Sequence, residues 1–124
     1  MTRVSRTILI VDDEPMIRRL VRIRLEQSGY EVRDAADGAA AVGIVDEFKP
    51  DVVISDILMP DFDGIEVIRS LRKSHPSIRL IAISGAPNDV FLNSAKVLGA
   101  ARVLRKPFSM DELVAAVEEV LEKP

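Results

Sequence analysis

The stretch "ILIVDDEP" (Ile8–Pro15) decides how the chain is read. Four residues suited to a buried strand run straight into three acids, Asp12, Asp13 and Glu14. Carboxylates set side by side in a poorly hydrated place repel one another. One acid after a strand commonly caps the next helix. Three in a row need a further reason, and the rest of the chain has to supply it.

The apolar start of this stretch recurs. "TILIV" (7–11), "EVRDA" (31–35), "DVVIS" (51–55), "RLIAIS" (79–84) and "ARVLR" (101–105) read as strands. The first, third and fourth are nearly continuous apolar runs, as strands covered on both faces require. Segments of helical spacing lie between them. Ile17, Leu20, Val21 and Leu25 make one stripe, begun by Pro15 in a first helical turn and ended by Gly29. Asp37 can cap "DGAAAVGIVDEF", and both Asp63 with Glu66 and Ser109 with Glu112 have capping-box spacing. A helix from Asn88 or Asp89 ends near Gly99, and Leu113, Val117, Val120 and Leu121 give the last helix its buried stripe. Strand and helix alternate five times, which predicts an α/β fold: one parallel sheet with helices on both faces and right-handed crossovers.

Composition narrows the task. The 124 residues suit one domain, 48% hydrophobic and 30% charged, a globular balance. No apolar run approaches the ~18 residues of a membrane span, and Met1–Thr7 lacks a signal peptide's apolar stretch. The absence of cysteine excludes thiolate chemistry and disulfides and fits a reducing cytoplasm. A net charge of −3, with four Phe, one Tyr and no Trp, weighs against direct nucleic-acid binding.

Ligands of open α/β sheets bind beyond the carboxyl ends of the strands. Strand one ends in Asp12 and Asp13, strand three in Asp56, strand four in Ser84 and Gly85, and strand five runs into Lys106 and Pro107. Each has an ordinary reading: a helix cap, a turn, a solvated lysine, a satisfied hydroxyl. Together they place three carboxylates, a hydroxyl and an ammonium on one rim. Clustered carboxylates call for a hard cation with oxygen ligands, Mg²⁺ (with Mn²⁺ an acceptable substitute). Lysine and serine beside it suit a phosphoryl group.

The motifs "VDDEP", "SDILMPDFDG", "AISGA" and "RKPF", in this order, give the chain a resemblance to the receiver domain of two-component response regulators, similar to the single-domain chemotaxis type. The resemblance covers essentially residues 1–124 and implies a flavodoxin-like (βα)5 doubly wound sandwich with strand order 2-1-3-4-5. It also implies a phosphoprotein switch in the cytoplasm rather than a metabolic enzyme. Asp56 would accept the phosphoryl group. Asp13 and Asp56 would ligate Mg²⁺, with Asp12 acting through metal-bound water and the Leu58 backbone carbonyl as a further ligand. Lys106 would neutralise phosphoryl oxygens, its bond to Pro107 free to be cis. Ser84 would donate to the group and Gly85 leave it room. The donor would be a sensor histidine kinase or a phosphotransfer protein. The signal would reach a downstream effector or an output domain beyond residue 124, through a changed surface around the 88–99 helix, the 101–105 strand and the last helix.

The chain also departs from the family pattern. Many relatives carry an aromatic residue where this chain has Val103, a β-branched side chain with no ring to swing. Signal is then expected to pass through the loop from Ser84 to Asp89. Leu58 and Ala86 cannot orient a water, which predicts a long-lived phosphoaspartate. His75, the single histidine, precedes Pro76 and is expected on a surface turn away from the rim. Arg18, Arg19, Arg22 and Arg24 read as a solvated face of the first helix, or else as a kinase-docking face. Three competing functions fit the chain less well. A Mg²⁺-dependent aspartyl phosphohydrolase would need an acid where Leu58 stands. A flavodoxin-like nucleotide binder would need phosphate-cradling groups where Asp12 and Asp13 stand. A pseudo-receiver, never phosphorylated, would lack site residues that are present here.

Overall fold

Alternation of side chains along the strands is what builds the sheet's two faces. The computed structural model describes residues 6–56, 64–85 and 99–122. Strands β1 (Thr7–Val11), β2 (Glu31–Ala35), β3 (Val52–Asp56), β4 (Arg79–Ser84) and β5 (Arg102–Arg105) form one parallel sheet in the order β2-β1-β3-β4-β5. Ile10 stands opposite Asp34 and Ile54, and Ile83 opposite Asp56 and Leu104. The α/β architecture and strand order expected from sequence are those observed.

The helices among the described residues are α1 (Pro15–Gln27), α2 (Gly38–Phe48), α3 (Gly64–Ser74) and α4 (Met110–Glu122). Leu9, Val11, Val53, Leu80 and Ala82 pack on one side of the sheet with Ala41 and Val45 of α2 and Leu71 of α3. Their strand neighbours Ile8, Ile10, Val52, Ile54, Ile81 and Ile83 pack on the other side with Val21 and Leu25 of α1 and Leu113, Ala116, Val117 and Val120 of α4. Each fully buried Ile, Leu or Val side chain contributes about 1.5–3 kcal/mol, so two apolar faces fix the register firmly.

Local signals set the helix ends. The Asp37 side chain accepts from the Ala40 amide at 2.8 Å. Ser109 and Glu112 exchange bonds, with the Glu112 amide donating to Ser109 Oγ and the Ser109 amide donating to Glu112 Oε1. Gly29 stops α1 at a φ of 95°, a conformation natural to glycine. The stripe of α1 is narrower than its sequence suggests: Val21 and Leu25 are buried, but Leu20 is 48% exposed, along with Met16 and Ile23. Leu20 lies about 100° around the helix from Val21, beyond the line that faces the sheet. The arginines of α1 stay on a partly exposed face and find partners there. Arg18 donates to the Asp12 carbonyl at 2.8 Å, Arg22 pairs with Glu26 and Asp34, and Arg24 pairs with Asp111 of α4 at 3.0 Å. The helix expected at 88–99 and the Asp63–Glu66 box lie outside the described residues.

Candidate functional site

Backbone bonds carry three strand ends to one rim. The Asp12 amide donates to the Ala35 carbonyl at 3.1 Å, which extends the β1–β2 ladder by one residue. The Lys106 amide donates to the Ser84 carbonyl at 2.8 Å and does the same for β4–β5. Asp56 closes β3, and its carbonyl accepts from Ser55 Oγ. Asp12, Asp56 and Lys106 each follow a residue of the α1–α4 face by two positions, and the pleat brings them to that same side.

There the side chains meet. Lys106 Nζ donates to Asp56 Oδ2 at 2.8 Å and to Glu14 Oε1 at 3.0 Å, and lies 3.3 Å from Asp12 Oδ2. Carboxylate oxygens of Asp12, Asp13, Glu14 and Asp56 all lie within 4.8 Å of one another. Asp12 and Asp56 are buried, while Asp13 and Glu14 are exposed. Four carboxylates therefore face one ammonium.

Burial pushes the Asp12 carboxyl above its ordinary value. The Glu14 amide, donating to Oδ1 at 2.9 Å, and the Lys106 charge pull it back only in part, and the Asp56 charge adds to the rise. For Lys106, burial alone would lower the ammonium. The bonds to Asp56 and Glu14 and the charges of Asp12 and Asp56 outweigh it and hold the group above the ordinary lysine value. The lysine is thus fixed in its charged form.

The cluster fits a hard divalent cation on its own chemistry. All four side chains offer oxygen, two of them are open to solvent for retained waters, and Asp12 Oδ2 is buried with only the 3.3 Å ion pair to Lys106 to serve it among the described residues. An atom left this way is one that a cation or its water would satisfy.

Of the other residues singled out from sequence, Ser84 is buried at the end of β4, at the same rim. Gly85 lies against the Lys106 stem; a Cβ there would sit 3.5 Å from Lys106 Cδ, an ordinary contact, so sterics with this stem do not by themselves demand glycine. The Lys106–Pro107 bond is cis. Val103 packs partly buried beside the α2–α3 core. His75 follows α3, at the opposite end of the sheet, with Nε2 2.9 Å from Asp46 Oδ1. Leu58, Ala86 and the loop to Asp89 lie outside the described residues. Glu14 is the participant that the sequence pattern does not single out. Its adjacency to Asp12 and Asp13 was the available signal, but nothing in the chain's linear order says that its carboxylate reaches a lysine 92 positions away. Ile17, Gly85, Lys106, Pro107, Phe108 and Met110 line an apolar groove of about 330 Å³ beside the ammonium.

A family model, the response regulator receiver domain, matches residues 8–118. The chain belongs to that family. This receiver domain is 40% identical over 121 residues to the sensor kinase CckA of Brucella abortus, covering 96% of the chain and 13% of that protein. It is 37% identical over 119 residues to the transcriptional regulatory protein TrcR of Mycobacterium tuberculosis, covering 94% of the chain and 45% of the relative. The chain thus spans less than half the length of these two relatives. Among solved structures, the receiver domain of NtrX from Brucella abortus superposes with a TM-score of 0.90 at 35% identity, over 94% of this chain and 99% of that one. Receiver domains are signalling modules of two-component systems, and none of the described helices is long and apolar enough to cross a membrane.

Proposed function

We propose that residues 1–124 form a receiver domain that works in the cytoplasm as a phosphoacceptor switch, with Asp56 as the residue phosphorylated. The observation that carries this reading is the placement of a charged lysine directly on a buried strand-end aspartate within a cluster of acids. A buried carboxylate so held is pre-aimed, and its counter-charge is already in place for the oxygens of an incoming phosphoryl group.

One Asp56 carboxylate oxygen attacks phosphorus. The new O–P bond forms as the P–N bond of a donor phosphohistidine breaks, and the bonding pair leaves with the imidazole nitrogen. Lys106 stays charged and meets the phosphoryl oxygens, and Ser84, at the end of the neighbouring strand, donates to the same group. Asp13, Asp56 and the Leu58 carbonyl would hold Mg²⁺, with Asp12 acting through water, and the ion would supply positive charge between two anions. The donor is a sensor histidine kinase or a phosphotransfer protein. Met16 and Leu20 are exposed on α1, the helix whose Ile17 lines the apolar groove, and a donor's apolar surface would dock there. Phosphorylation shifts a two-state equilibrium read by an effector or an output domain.

Incubation with acetyl phosphate, followed by intact-mass analysis, tests the reading. The protein should gain one base-labile phosphoryl group with Mg²⁺ present and none with EDTA. A chain that gains nothing with the metal is an interaction module that is never phosphorylated.

A further inference from the structure

Glu14 does not use its carboxylate where its position suggests. It stands at the N-cap of α1 yet makes no side-chain bond to that helix. Its Oε1 instead accepts from Lys106 Nζ, which also reaches Asp56 and Asp12. Three carboxylates therefore surround an ammonium that has three donors. A phosphoryl oxygen arriving at Asp56 has to take one of those places. Asp12 is fully buried and Asp56 nearly so, whereas the Glu14 side chain is 56% exposed. Glu14 alone among the three can turn into water without leaving a buried charge unpaired.

We propose that Glu14 is a positioning residue, an internal anion that occupies, in the unphosphorylated protein, the place on Lys106 that a phosphoryl oxygen takes. The inference rests on the reading of Asp56 as the acceptor and adds regulation of that same site. Loading breaks the Glu14–Lys106 pair, and emptying re-forms it. Every tetrahedral anion then competes with a tethered one, so Glu14 weakens the site's hold on the group without touching the atom that bonds to phosphorus.

The test uses the full chain at saturating Mg²⁺ and beryllofluoride as the phosphoryl mimic. Exposed ion pairs of this kind are worth enough to change an equilibrium about two- to fivefold. Glu14→Gln should tighten beryllofluoride binding by that factor, and Glu14→Ala should do likewise. The initial rate of phosphorylation by low acetyl phosphate, with acetate leaving on the bonding pair, should rise in step while the rate at saturating donor stays put. The difference between variant and wild type should shrink as salt screens the pair. Unchanged or weaker mimic binding in both variants overturns the proposal. So does a loss of Mg²⁺ affinity in Glu14→Gln as large as that in Asp13→Asn, which would make Glu14 a metal ligand. A wild type that neither binds the mimic nor takes the phosphoryl group overturns the Asp56 reading itself, and this one with it.

Discussion

Asp51 and Asp56 stand at the two ends of β3, one just before it and one as its last residue, and their surroundings differ in kind. Asp51 Oδ2 accepts from the Thr7 amide at 2.9 Å and from Thr7 Oγ1 at 3.2 Å, while the Asp51 amide donates to the Thr7 carbonyl at 2.8 Å. Neutral donors of a neighbouring strand thus serve this acid, and it fastens the start of β1 to the start of β3. Asp56 faces three further carboxylates across the opposite rim, and an ammonium that two of them share. An acid served by main-chain donors is structural. An acid crowded with its own kind, and held by one shared ammonium, is what the proposed phosphoacceptor role requires.

The largest expected effect follows from that contrast. Asp56→Asn should abolish phosphoryl uptake at the rim, while Asp51→Asn should leave uptake intact; mass analysis after acetyl phosphate and Mg²⁺ reads both. Uptake lost in both variants would mean that the two ends are not independent. Next comes Lys106→Ala. Removing the ammonium leaves Asp12 and Asp56 buried without their partner, a change that costs about 3 kcal/mol in comparable pairs. Urea unfolding in EDTA should show that loss, and Mg²⁺ should restore part of it by binding the folded state alone. A Lys106→Ala protein as stable as wild type without metal would mean that water already reaches the acids.

Much of this arrangement was legible in the sequence, and the physical reason is periodicity. Ile10, Ile54 and Leu104 belong to the α1–α4 face, and Asp12, Asp56 and Lys106 follow each by two, so the pleat that buries the first set aims the second. Strand ends in an open sheet then do the rest. What the sequence did not show depends on chain path and on how wide a face is covered. Leu20 looks like core by spacing, but α1 buries only its Val21–Leu25 line. The partners of the α1 arginines, Asp34 and Asp111, are remote in sequence or on another element, so spacing alone does not name them. Glu14 escaped for the same reason, since a loop residue has no period that tells where its side chain points.

Asp51 gives the smaller, metal-independent effect on stability. Asp51→Ala removes the acceptor of two donors at the start of β1, one a main-chain amide, and a bond of this kind is worth about 1 kcal/mol, with more lost if the amide stays buried. A destabilisation of about 1–2 kcal/mol, the same in EDTA and in Mg²⁺, is expected from denaturant unfolding. If Mg²⁺ changed that figure, the fastening at one end of β3 would be coupled to the chemistry at the other.

Asp12 gives the smallest effect and the one whose sign is most telling. Burial, joined by the Asp56 charge, holds its carboxyl above the ordinary value near 3.8, despite the Glu14 amide and Lys106. A carboxyl that ionises less readily when folded binds its proton more tightly in the native state. Folding therefore loses free energy as pH climbs from the ordinary value through the raised one. Asp12→Asn removes that loss. In EDTA at pH 7 the variant should unfold at higher denaturant than wild type, and the gap should close as pH falls below about 4. Saturating Mg²⁺ should narrow or reverse the order, because the wild type gains binding energy that the variant gives up. A variant less stable than wild type in EDTA at pH 7 would mean that attraction to Lys106 outweighs burial. The rim would then be a satisfied network, as the hydrogen bonds of Thr7 and Asp51 already are, and the contrast between the two ends of β3 would be lost.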